Sequence, residues 1–221
     1  MNLDENLITD NENPKLTDRD IFTKIWTSPR LVFKYINDTR YDKFLHILLI
    51  LAGITRAFDR ASTKNMGDNI SLTGVLSICI ILGGLFGWIS YYIYAALISW
   101  TGKWLNGKGD TSSILRMLSY AMIPSIVVLI LLIPQVAIFG NGIFQSNIDI
   151  YGSGLVSIII YYLILFLQLT FGIWTLVVFV IGVSEVQKLS IGKSILNIIL
   201  PVLIIIVPIA MIAFILGDIF G

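Results

Sequence analysis

The chain has 221 residues, of which 56% are hydrophobic and only 13% carry a charged side chain. Soluble domains have about 25% charged residues, so this composition excludes an ordinary soluble domain and indicates a protein embedded in the lipid bilayer. The formal net charge of +1 identifies no partner, and we expect none that is a nucleic acid. Cys79 is the single cysteine and cannot form an intramolecular disulfide, so we expect it to act as a small buried apolar residue.

The N-terminal region is predicted to contain a polar tail and two short helices. Residues 1–16 have the acidic, polar composition of a disordered tail. Residues 17–43 form an amphipathic segment, in which Thr17 and Asp20 have the spacing of a capping box. Its two helices have one apolar side each, which favours two arrangements equally. They lie in the membrane interface with Trp26 as an anchor, or they pack against the ends of the spanning helices.

Five apolar segments follow, and they predict an all-α, polytopic membrane domain over residues 44–221 that continues from the interfacial helices. The first segment is the weakest because Arg56 interrupts it. The second is longer than the hydrocarbon core, and we expect it to bend at Gly83, Gly84 and Gly87. The spans are predicted at about residues 44–60, 72–101, 113–139, 154–184 and 194–217.

The placement of the basic residues predicts the orientation of these five spans. With the N-terminus inside, twelve of the fifteen Lys and Arg residues lie on the inner side and three on the outer side. The loop over residues 140–154 has none. Since cytoplasmic loops carry an excess of Lys and Arg, the N-terminus is predicted to be cytoplasmic and the C-terminus to lie outside.

The hairpin over residues 102–124 is the candidate functional surface. Three glycines are expected to supply the backbone freedom for a sharp reversal, and Asp110 has the position of an N-cap before the next helix. Lysines of the loop and basic residues of the N-terminal helices would form a rim suited to anionic lipid or an acidic partner. The positive-inside rule alone would also account for basic residues on this side of the membrane. The candidate surface consists of Trp26, Pro29, Arg30, Lys103, Gly107, Lys108, Gly109, Asp110, Arg116, Tyr120 and Pro124.

Motifs for chemistry are sparse. Asp42 after a tyrosine and Asp110 at the end of a GxGD string resemble an intramembrane aspartyl protease, but neither is expected at membrane depth, where two carboxylates would share a proton. His46 is the single histidine, so no histidine-rich metal site can form. We expect no catalytic residue, metal or cofactor. Gln168 is the most polar side chain deep in a span. It is a candidate intramembrane polar site on a substrate path, and a hydrogen bond to a neighbouring helix is the favoured interpretation.

Together these features resemble the Yip family of Ypt- or Rab-interacting five-span membrane proteins. The resemblance is most specific after the glycine-rich turn, where Tyr120 and Pro124 are four residues apart at the start of the third span. Trp26 with Pro29 is similar to the lead-in of bacterial and archaeal members. Trp174 lies where the fourth span of the family has a similar residue.

The resemblance implies a non-enzymatic role in membrane organisation or trafficking, through binding of a protein or lipid at the cytoplasmic face. A small GTPase is a partner implied by the resemblance alone. A prokaryotic member in the plasma membrane fits the short N-terminal tail. The alternative function is a small-molecule or ion transporter or channel, which would need a polar-lined cavity inside the membrane. The sequence leaves open whether the protein forms a homo-oligomer.

Overall fold

Eight α-helices and two short 3-10 turns make up the structure, a computed structural model that describes residues 15–148 and 154–220. These residues contain no β-strand. The predicted tail falls almost wholly outside them. The turns are Met66–Asp68 and Gly140–Phe144. The helices are α1 Asp18–Lys24, α2 Pro29–Thr39, α3 Leu45–Thr63, α4 Leu72–Trp104, α5 Thr111–Ala121, α6 Ile123–Phe139, α7 Leu155–Gln187 and α8 Ile191–Phe220.

The two N-terminal helices pack against the longer helices through their apolar sides. The predicted capping box is present, since the Thr17 hydroxyl accepts from the Asp20 N–H and the Asp20 carboxylate accepts from the Thr17 N–H. α2 contacts α5 and α7. Of the two arrangements that the sequence leaves open, the contacts therefore favour packing on the spanning helices. The apolar side chains involved are fully or almost fully buried: Ile21, Ile25, Val32, Phe33 and Ile36.

Four helical segments in the described residues are long and apolar enough to cross a membrane. They match the last four predicted spans. The predicted first span is not among them, because α3 carries Arg56, Asp59 and Arg60 in its C-terminal half. The third segment is made of two helices that break at Met122, just before Pro124. The four segments are Leu72–Trp104, Thr111–Phe144, Leu155–Gln187 and Ile191–Met211.

The long helix α4 approaches α3 very closely through glycines. A Cβ atom on Gly53 would lie 2.5 Å from the Gly83 carbonyl oxygen, and one on Gly87 would overlap the Cα of Gly53. α4 is one continuous helix through Gly83, Gly84 and Gly87, where the sequence predicts a bend. Gly83 and Gly87 let the backbones of α3 and α4 touch, a close packing that stabilises helix pairs in lipid, where the hydrophobic effect gives little.

The buried side chains define two ends of the helical bundle. The larger cluster lies at the end formed by α1, α2, the α4–α5 loop and the α7–α8 turn, which we call the basic end. The smaller cluster surrounds the two 3-10 turns, which contact each other at the opposite end. It contains Cys79, which is buried as the sequence predicts. Long stretches of α4, α7 and α8 expose Ile, Leu and Phe, as expected of a surface that faces lipid.

We expect Gly87→Ala to destabilise the protein, because overpacking a tight contact costs about 1–3 kcal/mol. Gly84→Ala is the matched control on the same helix, since its Cβ would meet only Ile50 and Ile54, at ordinary contact distances of 3.6 Å or more. Thermal denaturation in detergent should show a lower midpoint for the first variant and an unchanged or higher midpoint for the second. Equal midpoints for the two variants would contradict the tight contact.

Candidate functional site

A concave pocket of ≈ 410 Å³ lies at the basic end, between parts of the chain that are far apart in sequence. The C-terminus of α2, the α4–α5 loop, the first turns of α5 and the end of α7 form its walls. Four lining side chains are cationic and one is anionic, so we call it the basic pocket. The lining residues are Asn37, Arg40, Lys108, Gly109, Asp110, Ser112, Ser113, Arg116, Val186 and Lys188.

Two of the four cations sit at helix C-termini in a left-handed backbone conformation. Arg40 ends α2 with φ 51°, and Lys188 ends α7 with φ 55°. After Arg40, the Tyr41 N–H donates to the Ile36 carbonyl at 3.0 Å, the long-range hydrogen bond of a Schellman motif. Glycine is the usual residue at such a position because it pays no steric penalty there. Two cations stand in its place here, and both line the basic pocket.

Asp110 is the N-cap of α5 at the end of the α4–α5 loop, as the sequence predicts. Its carboxylate accepts from the Ser113 N–H at 2.9 Å, and its own N–H donates to the Ser113 hydroxyl at 3.2 Å. The Ser113 hydroxyl also donates to the carboxylate. The hydrogen bonds from Ser113, first from its side chain and then from its backbone, lower the pKa of Asp110. The carboxylate is therefore charged at neutral pH, with its charge used to cap the helix.

Two of the pocket's cations are already paired. Arg116 has only 7% of its side chain exposed, and its Nε lies 2.5 Å from Oδ1 of Asp42, which precedes α3. The Lys188 ammonium lies 2.6 Å from a carboxylate oxygen of Glu185. Among the described residues, the exposed side chains of Arg40 and Lys108 form no ion pair. The basic pocket therefore has two cations that remain free for a ligand.

The two aspartates of the protease-like strings have separate partners. Asp42 pairs with Arg116, whereas Asp110 binds Ser113. An aspartyl protease needs two carboxylates that face each other and share a proton. The contacts of these two carboxylates do not provide that arrangement.

Beneath the basic pocket, the fully buried side chain of Gln187 joins α7 to the loop and to α4. Its Oε1 accepts from the Gly109 N–H at 2.9 Å, and its Nε2 donates to the Ile98 carbonyl at 3.1 Å. Asn197 of α8 donates to the same carbonyl at 3.1 Å and to the Thr101 hydroxyl at 2.8 Å. We call these residues the amide network. Buried amides are costly unless they are paired, so the network fixes the floor of the pocket.

The amide network explains the loop glycines better than backbone freedom does. None of the three glycines, Gly102, Gly107 and Gly109, has a positive φ. The left-handed residue of the turn is Asn106, with φ 66°. The expected role of the glycines is therefore wrong. A Cβ on Gly102 would lie 2.7 Å from Cδ of Gln187, and one on Gly107 would lie 2.9 Å from the same atom. The glycines leave room for the Gln187 side chain.

The remaining candidate residues lie away from the basic pocket. The Trp26 ring packs edge-on against Phe171 of α7, with centroids 5.9 Å apart. Arg30 and Lys103 are exposed. Tyr120 is fully buried, and its hydroxyl accepts from the Phe44 N–H at 3.3 Å. Of the eleven candidates, four line the basic pocket, and three form buried contacts in the protein: Pro29, Tyr120 and Pro124.

Gln168 forms the interhelical hydrogen bond that the sequence favours. Its Nε2 donates to Oε1 of Gln135 on α6 at 3.0 Å. Sequence reasoning missed Gln135, although a glutamine one residue after Pro134 inside an apolar run was a visible signal. It also missed Arg40, Gln187 and Lys188, for which only the polarity at the helix ends gave a hint.

A family model for the Yip1 domain matches residues 23–212, which is most of the chain. The chain belongs to the Yip1 domain family. The match begins within α1 and ends within α8, so this Yip1 domain includes every residue of the basic pocket and of the amide network. No curated protein and no solved structure matches the chain.

We expect Gly102→Ala and Gln187→Ala to destabilise the Yip1 domain less together than the sum of the two single changes. In the single variant Gly102→Ala, the added methyl overlaps the Gln187 side chain, at a cost of about 1–3 kcal/mol. In the single variant Gln187→Ala, the Gly109 N–H loses its acceptor, at a similar cost of about 1–3 kcal/mol. In the double variant the methyl fills space that the amide has left.

A double-mutant cycle of denaturation midpoints in detergent measures this coupling. Gly192→Ala is the control for a helical glycine, because its added Cβ would have no atom within 4 Å other than those of its chain neighbours and its own helix backbone. Strictly additive effects of the Gly102 and Gln187 changes would show that the two side chains do not compete for the same space.

Proposed function

We propose that this Yip1 family membrane protein has a non-enzymatic role in organising the membrane, and that its basic pocket binds the phosphate of anionic lipid headgroups on the cytoplasmic side. The observation that carries the proposal is the pair of cations without an ion-pair partner, Arg40 and Lys108, in a pocket whose other two cations, Arg116 and Lys188, are paired. Guanidinium binds phosphate oxygens in a bidentate manner, and ammonium binds them as a point charge. The hydroxyls of Ser112 and Ser113 in the same lining add further donors.

The position of the pocket favours a lipid over a soluble acidic protein. Trp100 and Trp104, at the end of α4 just before the loop, are about half exposed and pack edge-on with centroids 4.8 Å apart. Tryptophan is enriched where a spanning helix leaves the hydrocarbon region. The loop that carries Lys108 therefore belongs at headgroup level. A pocket of ≈ 410 Å³ also has the size of a small-molecule site rather than of a flat protein interface.

The proposal includes five spans: α3, which is the first in chain order, and the four long apolar segments that follow it. The 19 residues of α3 extend about 28 Å at 1.5 Å per residue, close to the roughly 30 Å of the hydrocarbon core. Its start contacts Tyr120 at the basic end, and Ser62 near its end donates to the Ile143 carbonyl at the opposite end. The Arg56 guanidinium contacts the Ser90 hydroxyl of α4 at 3.4 Å, so a polar group of a neighbouring helix accepts from it.

Transport of a small molecule or an ion is the second candidate function. The observation in its favour is a second cavity, of ≈ 250 Å³, between α3, α6 and α7, whose lining includes the paired glutamines Gln135 and Gln168. A small GTPase or an acidic protein at the basic end is a further candidate partner. The co-sedimentation comparison described below tests it.

We expect the combined change of Arg40→Gln and Lys108→Gln to reduce retention of phosphatidylglycerol by the purified protein. Each cation near a headgroup contributes about 1 kcal/mol, so each change should weaken binding about fivefold, and 1 M salt should remove the difference. Native mass spectrometry of bound lipid, in mixtures with phosphatidylcholine, measures the retention.

Lys103→Gln is the matched control for Lys108→Gln alone, because Lys103 lies in the last turn of α4, close to the loop in sequence, and does not line the pocket. If these two single changes have equal effects on lipid retention, the charges only set the topology or attract lipid without a defined site. If no variant changes lipid retention but the double variant loses an acidic protein that wild type co-sediments, the ligand of the pocket is a protein.

Single cysteines test the five spans in a Cys79→Ala background. Asp38 precedes α3 and Asn69 follows it, and both side chains are exposed. In sealed cells, a membrane-impermeant maleimide should label Asn69→Cys from outside and Asp38→Cys only after permeabilisation. Ser112→Cys should behave like Asp38→Cys. Labelling of positions 38 and 69 from the same side would show that α3 does not cross.

A further inference from the structure

The cavity of ≈ 250 Å³ between α3, α6 and α7 lies at the opposite end from the basic pocket and has the reverse charge. Its α3 wall carries Thr55, Asp59 and Ser62, which are spaced to lie on one face of the helix. Of the residues that the structure describes, Asp59 is the one charged residue of the lining, which includes no Lys, Arg or His. Among the described residues, the Asp59 carboxylate forms no ion pair. The described part of the lining therefore carries a negative charge that has no ion-pair partner.

The neighbouring basic residues of α3 do not neutralise this carboxylate. The Arg56 guanidinium donates to the Ser90 hydroxyl of α4 at 3.4 Å, and Arg56 does not line the cavity. Arg60 and Lys64 are exposed and do not line the cavity. A carboxylate that lines a cavity between the helices of a membrane bundle and has no ion-pair partner is a candidate site for a cation.

Two hydroxyls of the α3 wall can act only as acceptors toward a ligand. The Thr55 hydroxyl donates to the Leu51 carbonyl at 2.9 Å, and the Ser62 hydroxyl donates to the Ile143 carbonyl at 3.0 Å. Since each hydroxyl has one hydrogen, both are left with lone pairs only. A group that binds on this wall, next to Asp59, is therefore best matched by a cation that carries hydrogen-bond donors.

Aromatic groups in the lining favour an organic cation over a bare metal ion. The side chains of Tyr161, Phe58 and Phe144 line the same cavity as Asp59. A cation near the face of a ring is attracted by its quadrupole, and the effect is strongest when the site excludes water. An alkali ion would need a full shell of oxygens, whereas an ammonium group is satisfied by three acceptors and apolar surroundings.

We propose that this cavity binds a primary ammonium group, with the Asp59 carboxylate as its counter-ion. The group can come from a free small amine or from the headgroup of an aminophospholipid, since the rim residues Asp59 and Asn65 are exposed. The site is separate from the basic pocket in residues, end and charge. Its proposal stands whether or not the basic pocket binds lipid.

Equilibrium dialysis tests the free amine with the full chain in phosphatidylcholine nanodiscs. Ethanolamine is the probe, and ethylene glycol, which has a hydroxyl in place of the ammonium, is its neutral counterpart. We expect saturable binding of ethanolamine and none of ethylene glycol. Asp59→Asn should weaken ethanolamine binding by an order of magnitude or more, since a hydrogen bond to a charged group is worth roughly tenfold. Asp59→Glu should retain most of it.

Asp68→Asn is the control for removal of a negative charge at the same end, because Asp68 binds the Ser146 N–H and does not line the cavity. It should leave ethanolamine binding unchanged. The comparison of the two probes uses wild type alone, so it stands even if Asp59→Asn does not fold.

A second arm identifies the source of the ammonium. Native mass spectrometry of protein from mixed nanodiscs should show enrichment of phosphatidylethanolamine over phosphatidylcholine if the ligand is a headgroup, and Asp59→Asn should abolish it. Binding in the first arm alone assigns a free amine. The proposal is overturned if wild type shows neither response, or if both persist unchanged in a folded Asp59→Asn variant.

Discussion

The burial of one amide side chain sets the geometry of the basic end. Gln187 reaches from the last turn of α7 to the Gly109 N–H in the loop and the Ile98 carbonyl of α4, with no exposed surface. Its polar atoms must be paired at that depth, so the loop can close in only one way around it. Lys108 gains its fixed position from this closure, because its N–H donates to the Gln187 carbonyl at 3.0 Å. The basic pocket is thus a consequence of the amide network.

Close backbone contacts and hydrogen bonds of side-chain amides hold the helices together where the hydrophobic effect cannot. Lipid is as apolar as the outer faces of α4 and α7, so burial of leucine against leucine gives little association. α3 and α4 instead meet backbone to backbone at Gly53 and Gly87. α6 and α7 are joined by the bond from Gln168 to Gln135. Conventional apolar packing is concentrated at the basic end, where the N-terminal helices bury their apolar sides.

Local features of this fold could be predicted from the sequence, whereas features that depend on pairing could not. The last four spans, the capping residues Thr17 and Asp110, and the hydrogen-bonded role of Gln168 follow from short-range patterns. The basic pocket joins residues near positions 40, 108 and 188, and no spacing along the chain encodes their proximity. The loop glycines suggested a turn that needs unusual dihedrals. Their actual role depends on a glutamine about 80 residues further along the chain.

The backbone conformation of the basic pocket supports the proposal that its charges do more than orient the protein. An excess of cations on one side would be satisfied by Lys or Arg at any exposed loop position. Arg40 and Lys188 instead occupy left-handed positions at helix ends, where glycine would be favoured and a longer side chain is strained. Orientation alone does not require Lys or Arg at these two positions. A phosphate ligand, as proposed above, would gain from both cations, because Arg40 of α2 and Lys188 of α7 line the same pocket as Lys108.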